Sequence, residues 1–362
     1  DAGLSLREAS ALAQDDDKII FDPTLGGGVI HLVSGPLLFS ADVTVNGDID
    51  KDGTPDIVIS GDANGDDVIR AGAAGPQITD VQHNNNTSDN TQVIHVTDGE
   101  AIFEGIVITG GVSASDEKGG GVLIDASAAA RFSDSIISGN SQEVRGGAFA
   151  NRGSLYVSDS IVSNNFATVG SAALYNTGTA VFENVVISEN VTDNYAPAIE
   201  NLGDLYLSHS LVDKNYSSIG ASAISNGEYA IISDSTISNN TGGIGNSMEM
   251  IILHSEIISN SGNAGGIGNS GDLQVVNSLI ANNYSATDGG GIHNVEHLTL
   301  INSTVFGNKT SGDGGGIYIE NIRATLINST VTGNHADGNG GGFYVGGLGA
   351  LLATNSIIAG NS

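Results

Sequence analysis

Apolar residues along this chain come in short alternating bursts, each closed by Asn, Asp or Gly. From residue 134 the bursts fall into a repeat. Asp134-Ser-Ile-Ile-Ser-Gly-Asn140 recurs as Asp159–Asn165, Asn184–Asn190, His209–Asn215, Asp234–Asn240, His254–Asn260, Asn277–Asn283, Asn302–Asn308, Asn328–Asn334 and Asn355–Asn361. The spacings are 25, 25, 25, 25, 20, 23, 25, 26 and 27 residues. A second ladder (Asn151, Asn176, Asn201, Asn226, Asn246, Asn269, Asn294) follows small-residue runs such as Gly146-Gly147-Ala148. A third element follows that one, as in Leu155-Tyr156-Val157 and Leu205-Tyr206-Leu207. Such segments alternate as half-buried strands do, and are too short to stand alone. Stacking equivalent segments about 4.8 Å apart pairs each backbone group with the turns above and below. The pattern therefore predicts an all-β fold, a right-handed parallel β-helix of roughly a dozen turns with three short strands per ~25-residue turn. Asn tolerates the left-handed backbone of sharp corners, and stacked Asn side chains bond along the coil.

The same alternation assigns sides. Leu155 and Val157 point inward and Tyr156 outward. Tyr156, Val181, Tyr206, Ile231 and Ile251 then share one outward stripe. Ile136, Ile161, Val186 and Leu211 share the next. Two adjoining apolar stripes suit a docking face for another protein chain, a neighbouring copy or a hydrophobic surface. The Ser at the second position of most markers, from Ser135 to Ser356, reads as a small inward or turn residue, since no His accompanies it in a fixed place.

The N-terminal third differs. Leu6–Gln14 reads as a helix with Ser5 as N-cap and Glu8 completing a capping box. It suits the cap that the first turn of a solenoid needs. Strands are expected at Ile19–Phe21, Val29–Leu32, Leu37–Phe39 and Val43–Val45. The whole chain, 1–362, reads as one domain: a cap over 1–18, irregular turns over 19–110, and regular repeats over 111–362. An acidic loop occupies 46–67 and a polar insertion 70–92.

Ser5-Leu6-Arg7-Glu8-Ala9 is similar to the core of the "CSLREA" domain of bacterial secreted β-helix proteins, with Leu4 in place of the usual Cys. Gly289-Gly290-Gly291-Ile292-His293-Asn294 and Asn302-Ser303-Thr304-Val305-Phe306-Gly307-Asn308 resemble the repeats of the same proteins. They also resemble the GGA[ILV] and FxxN repeats of chlamydial polymorphic outer-membrane adhesins, with Ile137 and Val162 where Phe is usual. The resemblance implies a β-helix displayed outside the cell, often as part of a larger anchored protein. It implies no particular activity.

Composition narrows the field. The chain has 362 residues, 52 Gly, no Cys and a net charge of −30 from 41 acidic and 11 basic residues. Without Cys there is no disulfide framework, Cys-ligated zinc or thiol catalysis. The charge argues against nucleic acid and, unless a divalent cation bridges them, against direct binding of other polyanions. High Asp with low Lys suits a secreted or cell-surface protein. No apolar run approaches the roughly 18 residues of a membrane span. The opening at Asp1 suggests a processed chain, and the stop at Ser362, just after a repeat marker, suggests a fragment, a processed form or a disordered remainder.

Metal chemistry is concentrated in Asp48-Ile-Asp50-Lys-Asp52-Gly53-Thr-Pro-Asp56. Alternate carboxylates with Gly at the sixth position match the first nine positions of an EF-hand-like calcium loop. Position twelve is Ile59, so the bidentate Glu is missing. Asp62, Asn64 and Asp66 would add oxygens. Calcium here would stiffen the first turns; a solvated acidic turn is the alternative.

An enzymatic reading finds its groups scattered. Lys118, Arg131, Arg145, Arg152, Lys214, Lys309 and Arg323 are candidate bases, and Arg145 and Arg152 share a turn. A hydrolase would need two carboxylates across a sugar, a role into which Asp116/Glu117 and Asp134 would have to be forced. His209 and His254 sit where markers carry Asp or Asn, which suits a turn. His293 and His297 make a weak zinc pair. The expectation is an extracellular adhesin-type or assembly module, non-enzymatic, whose partner is a protein chain, a second copy or a cell-surface glycan. The alternative is a carbohydrate-active β-helix enzyme: a polysaccharide lyase, hydrolase or epimerase.

Overall fold

The computed structural model describes residues 3–65, 90–113, 119–263 and 265–362. The insertion expected at 70–92 lies almost wholly outside them. The chain is a right-handed parallel β-helix of about 13 turns, with three strand ladders. By contacts it divides into two units, Asp1–Ala180 and Val181–Ser362.

The first sheet begins with Asp17–Ile20, the second with Leu37–Phe39 and the third with Val29–His31, and in the first unit each turn runs through the second, the first and then the third. Phe149–Asn151, Ser154–Ser158 and Ile161–Ser163 make one such turn. The strands pair parallel and in register, for example Phe132 with Val157 and Ile137 with Val162. A fourth, two-residue strand such as Phe166–Ala167 adds a short ladder that the alternation did not show. The core is aromatic here: Phe103 and Phe132 stack at 4.8 Å, with Phe39 and Phe149 edge-on at the ends.

The helix spans Leu6–Leu12 and carries the expected capping box. Ser5 N–H donates to Glu8 Oε2 at 2.9 Å, and Glu8 N–H to Ser5 Oγ at 3.3 Å. Arg7 clamps the helix to the first turn through the carbonyls of Gly35 and Pro36. Strands follow at Asp17–Ile20, Val29–His31, Leu37–Phe39 and Val43–Asn46.

The second unit repeats the cross-section with an aliphatic core. Leu205, Ile232, Ile252, Val275 and Leu300 are fully or almost fully buried. Its corners explain the seven-residue marker. The first residue is left-handed in every copy, as at His209 (φ 50°), Asp234 (φ 48°) and His254 (φ 48°). So is the sixth, as at Lys214 (φ 54°), Asn239 (φ 54°) and Ser259 (φ 58°). The closing Asn is instead buried and joins a ladder. Asn215 Nδ2 donates to Asn240 Oδ1 at 3.0 Å, and Asn240 to Asn260 at 3.0 Å. A second buried ladder runs Asn201, Asn226, Asn246, Asn269. The marker Ser residues form a third: Ser210 N–H donates to Ser235 Oγ at 3.1 Å, and Ser235 N–H to Ser255 Oγ at 3.1 Å. Each Oγ in turn donates to the carbonyl two residues back. These Ser residues are therefore hydrogen-bonding corners as well as small ones.

Candidate functional site

The acidic loop closes on itself. One carboxylate oxygen each of Asp48, Asp50 and Asp56 lies within 4.8 Å of the others. Backbone donors hold them there. Asp56 Oδ2 accepts from Ile49 N–H (2.7 Å) and Asp50 N–H (3.2 Å). Asp48 accepts from Asp52 N–H (3.2 Å) and from the N–H of left-handed Gly53 (3.1 Å). Two oxygens on opposite sides of a calcium ion stand about 4.6–5.2 Å apart, so the three fit around one cation. Asp52 turns away, its Oδ1 accepting from Thr54 N–H and Oγ1. Asp62 is buried in a separate turn, where Oδ1 accepts from Asn64 and Gly65 N–H. Asn64 is exposed there, and Asp66 lies outside the described residues. A Cβ on left-handed Gly105 would meet Asp48 Cβ at 2.6 Å. Nearby, Asp134 is raised above the usual carboxylate range by desolvation first, then by Asp159, Asp48 and Glu104.

The outer face of the second sheet gathers other chemistry. In the first unit its middle positions run His95, Leu123, Ala150, Tyr175 in register; His95 is half-buried and the other three are buried. His95 Nε2 lies 2.8 Å from Asp125 Oδ2, and Arg152 Nη1 is 3.9 Å from Asp125 Oδ1. A neutral His95 therefore carries its proton on Nε2 and leaves Nδ1 as an acceptor. Arg145 lies over the Tyr175 ring at 5.1 Å and donates to its hydroxyl at 3.3 Å. Only the shared turn of the two arginines was visible in the sequence; Asp125 and His95, thirty residues apart, were missed.

In the second unit the corresponding positions end in His293, Tyr318 and Tyr344. Tyr318 and Tyr344 stack at 5.6 Å with ring planes 13° apart; His293 lies 4.9 Å from Tyr318. His293 Nε2 is 3.5 Å from Glu320. The Tyr318 phenol is pushed up by burial first, then by Asp288, Glu320, Tyr344 and Asp313. His297 begins a strand of a different sheet, and the only potential metal group among the described residues is the Asp48 one.

The expected stripes face outward between buried neighbours. Tyr206 (37% exposed) and Ile161 (40%) are the most open. Ile136, Val181, Val186, Leu211, Ile231 and Ile251 are half-buried. Tyr156 is half-covered by the Arg131 guanidinium, 5.4 Å from its ring. His209 and His254 occupy left-handed corners. Asp116, Glu117 and Lys118 lie outside the described residues.

No protein-family model matches the chain, and no curated protein matches it. Among solved structures it is similar to the A-module of the Azotobacter vinelandii mannuronan C-5 epimerase AlgE6. The TM-score is 0.38 at 13% identity, covering 94% of this chain and 92% of that one. It is also similar to pectate lyase Pel9A, with TM-score 0.32 at 12% identity, covering 98% of this chain and 72% of that one.

Proposed function

We propose that the protein is a secreted or cell-surface, carbohydrate-active β-helix, working on polysaccharide at the part of the second sheet's outer face where His95, Asp125 and Arg152 are partly open. The observation that carries this reading is the His95–Asp125–Arg152 constellation. Asp125 orients the imidazole and stabilises the imidazolium formed when Nδ1 takes a proton, the base-and-orienter relation of many active sites. Arg152 stands where it meets charge developing on a sugar substituent. Calcium at Asp48, Asp50 and Asp56 belongs to the proposal as a structural ion.

Incubation with a panel of polysaccharides, read as release of reducing or unsaturated sugars and as change in sugar configuration, tests the reading. His95→Gln and Asp125→Asn each lower turnover by about 100-fold or more, with the fold unchanged by circular dichroism. Absence of turnover on every polymer rejects it.

The exposure of Tyr206 and Ile161 favours a second reading, a non-enzymatic adhesin-type surface that docks a protein or a second copy. That reading requires the inactive panel together with concentration-dependent association lost in Tyr206→Asp.

A further inference from the structure

The aromatic column of the second unit is built unlike the constellation around His95. Glycine corners fold directly over it. A Cβ on Gly289 (φ 67°) would meet His293 Cα at 2.6 Å, and one on Gly314 (φ 72°) would meet Tyr318 Cα at 2.8 Å. Only glycine permits that approach. It brings the preceding residues, Asp288 and Asp313, beside the rings.

Both aspartates are held in place. Asp288 Oδ1 accepts from Asp313 N–H at 2.7 Å. Asp313 Oδ1 accepts from Asn339 N–H at 2.6 Å and from its Nδ2 at 3.1 Å. Each thus uses one oxygen for the fold. Glu320 flanks the other side of the column, 3.5 Å from His293 and 43% exposed. All three carboxylates act on Tyr318.

The column therefore offers ring surface beside fixed negative charge. Polyuronates are repelled, whereas ammonium groups gain from the carboxylates. The ring position recurs on three successive turns, about 4.8 Å apart, and the corner aspartate on two of them, as Asp288 and Asp313. Such a ladder suits a polymer carrying the same group on each unit.

We propose that His293, Tyr318 and Tyr344, rimmed by Asp288, Asp313 and Glu320, bind a polymer of amino sugars. Its sugar rings lie against the aromatic column and its protonated amines against the carboxylates. This site deepens the polysaccharide reading and rests on it.

The test is binding of the full chain to deacetylated chitosan oligosaccharides by calorimetry. Acetylated chitin oligosaccharides, uronate oligomers and polylysine serve as comparison probes. The expected result is binding to chitosan that weakens with salt, and about tenfold or more weaker binding to the acetylated oligomer. Glu320→Gln and Tyr344→Ala, each with an unchanged thermal melt, lower chitosan affinity about three- to tenfold. Equal binding of acetylated and deacetylated oligomers overturns the proposal, because the carboxylates then play no part. Equal binding of polylysine overturns it too, because the rings then select no sugar. Uronate binding or turnover without chitosan binding sinks this inference alone. Failure of every polysaccharide sinks the functional reading with it.

Discussion

Asn240 shows how much one side chain carries in this coil. Its Oδ1 accepts from both Asn215 N–H (2.8 Å) and Asn215 Nδ2 (3.0 Å). Its Nδ2 donates to Val212 O and to Asn260 Oδ1, each at 3.0 Å. Asn240→Ala strands the buried Asn215 N–H and takes one partner each from Asn215 Nδ2, which keeps Ile187 O and Asp213 O, from Val212 O and from Asn260 Oδ1, so it should cost about 2 kcal/mol or more, read as a drop in the urea midpoint. A loss under 1 kcal/mol would mean that water replaces the ladder. The sequence showed that these Asn residues recur and bond along the coil. It did not show which Asn of each marker faces inward. That assignment depends on where the left-handed corners fall, and both Asn residues have the same chemistry. His95 and Asp125 illustrate the opposite case. Neither belongs to a repeat, so only the coil, which returns the chain to the same place one turn later, makes them neighbours.

At the scale of the strand and its corners, the markers tolerate imperfect residues at a cost. Lys214, Glu189 and Ser259 hold left-handed backbone at sites where other copies use Gly or Asn. Left-handed backbone costs most L-residues about 1 kcal/mol relative to glycine. Lys214→Gly should therefore raise stability by up to about 1 kcal/mol in thermal or urea unfolding, less the extra entropy of an unfolded glycine. No gain, or a loss, would indicate that the exposed Lys214–Asp213 contact at 3.4 Å outweighs the backbone term. The strands themselves were legible because their period of two is simple. The fourth short ladder was not. Two residues such as Phe166–Ala167 carry no period, and they become a strand only because equivalent pairs stack above and below.

For the whole molecule the governing quantity is charge. A net −30 raises the cost of folding, most of all where Asp48, Asp50 and Asp56 converge and Asp134 and Asp159 stand near. Calcium at 100 times its dissociation constant would stabilise the fold by about 2.7 kcal/mol. Equal melting temperatures in calcium and in chelator would refute the site. In chelator, Asp134→Asn should be more stable than the parent at neutral pH. The folded pKa of Asp134 lies above its unfolded value, so its ionisation opposes folding at high pH. The advantage should fade as the pH falls below the carboxylate range, where Asp134 is protonated folded or unfolded. An advantage independent of pH would exclude a charge origin.

Repeat period, strand alternation and corner chemistry are local properties, and they determined the β-helix, its capping helix and its outward stripes from the sequence alone. Long-range neighbours are set by how many residues each turn consumes, which varies from 20 to 27 between markers. Tertiary structure therefore decided that Asp52 leaves the carboxylate cluster, that His95 meets Asp125, and that Tyr318 lies between His293 and Tyr344. The backbone pattern repeats along the chain, but these side chains do not, and only the coil brings them together.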